Sequence, residues 1–254
     1  MRTSRRTFLR GFAAVPAIKL GVGCWPGVGE AAAAEEAAAA ASQRQALADA
    51  ALATAGKAGA SYADIRLNRY RTETISTSEQ RVQLISAEES YGAGVRVLVN
   101  GIWGFAATSR TTTEEIRKAA LEAVAIAKAN AALQRKRVEL APVKARRDSW
   151  NSGFQKNPFD VPLESKIGLL LKINATAQKV KGASFVDSSL HFGQEVKYFV
   201  STEGCEIEQD LIRSEGSFNV TAVDRSAGQF QERSSLAAPR QLGWEYIEEY
   251  PSAG

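Results

Sequence analysis

Apolar and polar positions alternate with a period of two over Val95, Val97 and Val99, with Arg96 and Leu98 between them, which is the pattern of a strand. Asn100-Gly101 follows and supplies the two left-handed residues of a tight type I′ turn. Ile102 to Thr108 then runs back, so Gly94 to Thr108 is predicted as a β-hairpin. Gly92, Gly94 and Gly104 leave room there for bulges or close backbone approach. Trp103 and Phe105 are two residues apart and so share one face of the returning strand. That face is expected to be core, the competing reading being a platform on which a peptide stacks, and Tyr91 and Arg96 divide between the same two roles. Upstream, Tyr62 to Tyr70 alternates in part and Glu73 to Ser86 is polar but β-branched, predicting two further strands of the same sheet.

Helical spacing brackets these strands. Gln43 to Lys57 places Leu47, Ala50, Ala51, Leu52 and Ala55 near one face, and Gly56 and Gly59 close the helix. Ala31 to Ala41 has no apolar face to bury and is expected to be a linker. Thr113 to Ala132 forms a second helix, with hydroxyl caps and acidic residues in its first turn. Its stripe is Ile116, Ala120, Val124 and Ala127. Residues 138–161 show no period and are expected to connect. Pro162-Leu163-Glu164 opens a third helix with Ile167, Leu170, Leu171, Ile173 and Ala177 on its apolar side, and Gly182 ends it. A second meander follows, with strands expected at Ser184 to Phe192, Glu195 to Ser201, Cys205 to Arg213, Ser217 to Asp224 and Gln229 to Ser235. Short connections favour antiparallel neighbours. The fold class is α+β, with two helix-plus-antiparallel-sheet units in series.

Three segments carry specific wording: Tyr62-Ala63-Asp64-Ile65-Arg66-Leu67, then Gly92 to Leu98, then Gly101-Ile102-Trp103-Gly104-Phe105-Ala106-Ala107-Thr108-Ser109. With Gly243-Trp244-Glu245 near the end, they make residues 43–250 resemble the TldD/PmbA family, sometimes labelled modulators of DNA gyrase. The resemblance implies peptide-trimming zinc metalloproteases that often work as two-subunit complexes. It also implies a metal site on a His-Glu-x-x-x-His helix with a later Cys, in a C-terminal domain. That motif is not among these 254 residues. The expected layout is therefore a signal peptide and Ala-rich linker at 1–42, a first domain at 43–137, a middle domain at 138–240, and at 241–254 the start of a missing catalytic domain. No catalytic, cofactor-binding or metal residue is assigned within the chain. Zinc is expected only in the missing domain, and the chain alone is expected to be inactive. The implied partners are a peptide substrate and a second family member, as homo- or hetero-dimer. The alternative is a non-catalytic exported scaffold subunit that pairs with a complete member.

Composition narrows the chemistry further. The formal charge is +4, part of it from Arg2, Arg5, Arg6 and Arg10. The basic run Gln134-Arg135-Lys136-Arg137, with Lys144, Arg146 and Arg147, reads as a solvated helix end and linker, and no nucleic-acid partner is expected. Ser4-Arg5-Arg6-Thr7-Phe8-Leu9 has the wording of a twin-arginine signal. Ala-x-Ala cleavage spacings lie within Val28 to Ala34. Export to the periplasm is the expectation, with a cytoplasmic location, as for many family members, the alternative. The apolar run Gly11 to Val22 is too short and interrupted for a stable membrane span. Cys24 is expected to leave with the signal, and Cys205 reads as a small strand residue. A zinc site needs three or four converging ligands; the single histidine, His191, lies in strand-like text and is read as structural. Glu203, Glu206, Glu208 and Asp210 would serve a stand-alone carboxylate enzyme, but they are read as decorating a solvent face.

Overall fold

The structure is a computed structural model that describes residues 28–133, 136–236 and 238–249, with side chains from residue 38 onward. The twin-arginine segment, Cys24, Gln134 and Arg135 lie outside the described residues. Contacts divide the chain between Ala41 and Ser42. Ala31 to Ala41, expected as a linker, is helical and belongs to α1 (Val28–Lys57). Alanine has the strongest intrinsic helix propensity, so the run needs no apolar face to form a helix.

From Ser42 onward the organising element is one sheet. Its strands are β1 (Tyr62–Ser78), β2 (Arg81–Val99), β3 (Ile102–Thr108), β4 (Arg147–Asn151), β5 (Ala183–Ser201), β6 (Glu206–Asp224) and β7 (Gln229–Ser234). The order is β3-β2-β1-β5-β6-β4, with β7 also pairing β6. All ladders are antiparallel except β4 against β6. The α+β class is as expected, and helices followed by strands occur twice along the chain. The two halves join through β1 and β5, which pair from Asp64↔Ser201 to Ser78↔Asp187.

The predicted hairpin is present. Asn100 and Gly101 take φ of 52° and 78°, as a type I′ turn requires. Elsewhere the strands are longer than expected. The break expected between Tyr70 and Glu73 does not exist, and the reversal falls at Glu79-Gln80. Glu79 adopts φ 55° without the help of a glycine. Tertiary bonds hold it there: its N–H donates to Val186 O at 2.8 Å, its carboxylate accepts from Val186 N at 3.1 Å, and its carbonyl accepts from Asn174 Nδ2 at 2.8 Å. The breaks expected after Phe192 and Arg213 are also absent, because β5 and β6 are each laddered through those points. The connector contains the unexpected β4, which lies parallel to Glu206–Asp210.

Residues of one parity along β1 (Ala63, Ile65, Leu67, Ile75) are buried, and all four therefore lie on one face of the sheet. Two helical layers cover that face. Over one end lie α1, through Leu47, Ala48, Ala51 and Ala55, and α2 (Thr113–Asn130), through Ile116, Ala119, Ala120, Ala123, Val124 and Ala127. Thr112 caps α2 by accepting from Glu115 N. Over the other end lie α3 (Leu163–Ala177) and α4 (Trp244–Glu249), packed on Ile75, Leu190 and Phe192. Each fully buried Ile, Leu or Val contributes about 1.5–3 kcal/mol relative to exposure.

The buried side of α3 departs from expectation. Of its apolar residues only Leu170 is fully buried, and its companions are Lys166 and Asn174. The sheet beneath is polar there: Asn174 Nδ2 donates to Thr77 Oγ1 at 3.1 Å, and Thr77 shares a hydrogen bond with Ser188. Lys166 Nζ lies 2.5 Å from Glu73 Oε1.

Candidate functional site

Because the helices lie on one face, the opposite parity of each strand projects where no helix packs. On β1 that parity is Tyr62, Asp64, Arg66, Asn68 and Tyr70, and its β2 partners are Leu98, Arg96, Gly94 and Gly92. The β3 partners are Trp103, Phe105 and Ala107. Phe199 of β5 stands opposite Arg66.

Asp64 is completely buried at the centre of this group. Its Oδ2 accepts from Arg96 Nε at 2.8 Å and from Tyr62 OH at 3.0 Å, with Arg96 Nη2 also at 2.8 Å. Its Oδ1 lies 2.8 Å from Arg66 Nη1, in ion-pair contact without an aligned hydrogen bond. Burial, reinforced by the Asp64 charge, pushes the Tyr62 hydroxyl up to about 12. Each guanidinium also lies over a ring, Arg96 4.6 Å from Trp103 and Arg66 5.2 Å from Phe199, in cation–π geometry. Trp103 meets Tyr62 edge-on at 5.8 Å.

Beside the cluster runs a trough of about 480 Å³. Gly92 and Gly94 put no side chain into it; Arg66, Asn68 and Tyr70 stand along one side and Phe105, Thr108 and Ser109 along the other. A Cβ on Gly94 would sit 2.9 Å from Phe105 Cε2, so the glycine lets the ring lie over the strand. Trp103 and Phe105 were expected to be core. They do share a face, but it is the uncovered one, and Phe105 is 53% exposed. The core face of β3 carries Ile102, Gly104 and Ala106 instead, because the helix layer approaches from that side.

The other candidates are engaged elsewhere. Glu206, Glu208 and Asp210 share the helix-side parity of β6: Glu206 accepts from Tyr198, Glu208 pairs with Arg44 of α1 at 2.9 Å, and Asp210 accepts from Gln194. They therefore anchor side chains on the helix side, where a solvent face had been expected. Glu203 lies in the turn before β6. His191 Nδ1 is 2.9 Å from Thr74 Oγ1. Cys205 is buried just before β6, its Sγ 3.8 Å from Lys144 O. Among the described residues no three His, Cys, Asp or Glu side chains are grouped to hold a metal. His191 and Cys205 are spoken for separately, so this donor set does not fit the zinc that the resemblance implies. No described helix is long and apolar enough to cross a membrane.

Gly243-Trp244-Glu245 has a structural role. A Cβ on Gly243 would lie 2.0 Å from Lys156 O. Trp244 packs on Phe192 at 6.0 Å, its backbone N–H donates to Lys156 O, and its indole N–H donates to Glu248 Oε1. The Glu245 carboxylate accepts from the backbone N–H groups of Gly243, Gln155 and Lys156.

Comparison with known proteins now assigns the class. Residues 63–127 match the family model for PmbA/TldA metallopeptidase domain 1, and residues 156–251 match that for the PmbA/TldA metallopeptidase central domain. The chain belongs to the TldD/PmbA family. Similar curated proteins are a metalloprotease of Methanocaldococcus jannaschii, 31% identical over 171 residues, and one of Methanothermobacter thermautotrophicus, 30% identical over 173. Those alignments cover 66% and 68% of this chain, and the chain spans 37% of each relative's length. Solved structures share the fold. A candidate modulator of DNA gyrase from Bacteroides thetaiotaomicron has a TM-score of 0.60 at 16% identity, covering 81% of this chain and 48% of that one. TldE from Thermococcus kodakarensis has a TM-score of 0.58 at 17% identity, covering 75% and 42%.

Proposed function

We propose that the chain is the N-terminal and central part of a TldD-type zinc metallopeptidase, with the first domain over 43–137 and the middle domain over 138–240. The observation that carries this is the succession of two metallopeptidase-domain matches along the chain. Peptide hydrolysis by zinc needs the ion to polarise the carbonyl and generate a nucleophilic water. No ligand set is grouped among the described residues; in this reading the metal is held by another domain, and this part holds and aligns the peptide. Fluorogenic peptides incubated with the purified chain and added zinc should show no turnover. Turnover removed by a chelator would overturn the placement of the metal in another domain.

A second role, as a non-catalytic subunit pairing with a complete family member, is favoured by the outer edge of β2. From Arg81 to Gly92 that edge has no strand partner among the described residues, and Val82, Leu84 and Ile85 are exposed along it. Such edges accept a further strand. Co-expression with a complete member and size-exclusion analysis tests the pairing: co-elution supports it, and separate elution removes it. Twin-arginine export is part of the proposal and rests on Ser4 to Leu9. A reporter fused to residues 1–42 should be exported, and replacing Arg5-Arg6 by two lysines should retain it in the cytoplasm.

A further inference from the structure

We propose that the trough beside Asp64 binds an extended peptide by a carboxylate, held by Arg66 with Arg96 behind it adding to the positive charge, and with a neighbouring apolar side chain resting on Phe105. This rests on the peptidase assignment and gives the peptide-handling part of the chain a location.

Burying an unpaired carboxylate costs several kcal/mol, on the order of the penalty for any isolated interior ion. The chain buries Asp64 completely and surrounds it with two guanidiniums. One carboxylate against two cations leaves the cluster with one net positive charge. Stability alone would be served by a single arginine or by apolar side chains. Each guanidinium carries five N–H donors. Arg96 directs Nε and Nη2 at Asp64 and Arg66 directs Nη1, so donors remain on both. The Arg66 and Arg96 side chains are 35% and 38% exposed. Cation–π contact with Phe199 and Trp103 holds each guanidinium over a ring. Asp64 is thus a positioning residue that aims two half-exposed guanidiniums at whatever lies on the open face.

The trough supplies the second, independent observation. It adjoins Arg66, and its Gly92 and Gly94 open room for a chain to pass between strand side chains. Phe105 offers an exposed apolar surface and Asn68 a polar rim. Charge complementarity selects the occupant. One net charge matches one carboxylate, terminal or side-chain, whereas nucleic acid would need a row of cations to meet successive phosphates. Lys197, whose strand position is opposite Asn68, is already paired with Glu195 at 2.9 Å.

The experiment is titration calorimetry of the full 254-residue chain with three acetylated peptides: Ala-Ala-Phe-Ala with a free C-terminus, the same peptide as its amide, and the amide with Glu in the second position. The acid should bind at least about tenfold tighter than the plain amide, as expected for a charge-assisted hydrogen-bonded pair. If the Glu-containing amide equals the acid, the site accepts a carboxylate from either source; if it matches the plain amide, the site requires the terminus. Arg66→Gln should erase the acid–amide difference, and Phe105→Ala should weaken both by about tenfold. Should Arg66→Gln fail to fold by circular dichroism, Phe105→Ala decides, since that ring is exposed. Equal affinity for acid and amide, unchanged binding in Phe105→Ala, no binding at all, or tighter binding of a dT oligonucleotide each overturns the proposal. These outcomes are read without turnover, so they leave the peptidase assignment standing. Chelator-sensitive turnover would instead show that these residues hold the metal themselves, whatever the peptide affinity.

Discussion

Gly104 of β3 lies so close to α2 that a Cβ there would sit 2.0 Å from Ala123 O and 2.7 Å from Ala127 N. Both atoms are helix backbone and neither can swing aside. Replacement by alanine should force β3 and α2 apart and cost about 3 kcal/mol or more, the upper range for overpacking. Urea denaturation reads this directly, and an unchanged midpoint would show that the helix shifts freely.

Lys166 and Glu73 form an ion pair in which the lysine is 1% exposed and the glutamate 17%. Breaking a fully buried pair costs about 3–5 kcal/mol. Water reaches Glu73, so Lys166→Met should cost about 2 kcal/mol, less than that full penalty. Adding Glu73→Leu should bring stability back to within about 1 kcal/mol of the starting protein, because an apolar replacement strands no charge. A double-mutant cycle by chemical denaturation tests both parts. Equal losses in the single and double variants would show that packing, not charge, is what Lys166 contributes.

Glu245 gives the fold a pH dependence of known sign. Burial alone would raise its pKa, but the backbone N–H groups of Gly243, Lys156 and Gln155 outweigh burial and hold it below the ordinary carboxylate range. The unfolded chain therefore takes up the proton first as pH falls. The stabilisation is present above about pH 4.3, the ordinary glutamate value, and is lost as pH drops through the lower folded value. Glu245→Gln should melt earlier at neutral pH by about 1 kcal/mol, discounted for partial exposure. The gap between the two proteins should close in acid. Parallel melting curves from pH 7 to pH 3 check this; a gap that widens in acid would reverse the sign.

The parts of this fold that depend on neighbours in sequence were readable. Asn100-Gly101 sets its own dihedrals, and Ile116, Ala120, Val124 and Ala127 recur at helical spacing and are all buried as expected. The reversal at Glu79 was invisible, because its left-handed backbone is held by Val186 and Asn174, far away in sequence. Strand alternation showed that Trp103 and Phe105 share a face but not which face the helices cover. That depends on both helical layers lying on one side. Lys166 is not part of the apolar stripe of α3, and the signal that carries it is a Lys, Leu and Asn at four-residue steps. Nothing local in the sequence announces that Asp64 is buried between two arginines, since Arg96 reaches it from the neighbouring strand.

The ladder between β1 and β5 bears on how such a chain can change over generations. The two family domains are separate in sequence, at 63–127 and 156–251, but they have a backbone seam in common. The exposed connector at residues 139–143 can gain or lose length at small entropic cost. Exchange of one domain alone for a relative's must preserve the register from Asp64↔Ser201 to Ser78↔Asp187, because a one-residue slip turns every core side chain outward. Recombination between relatives is therefore expected to move the pair together, and the two halves are inherited as one heritable unit.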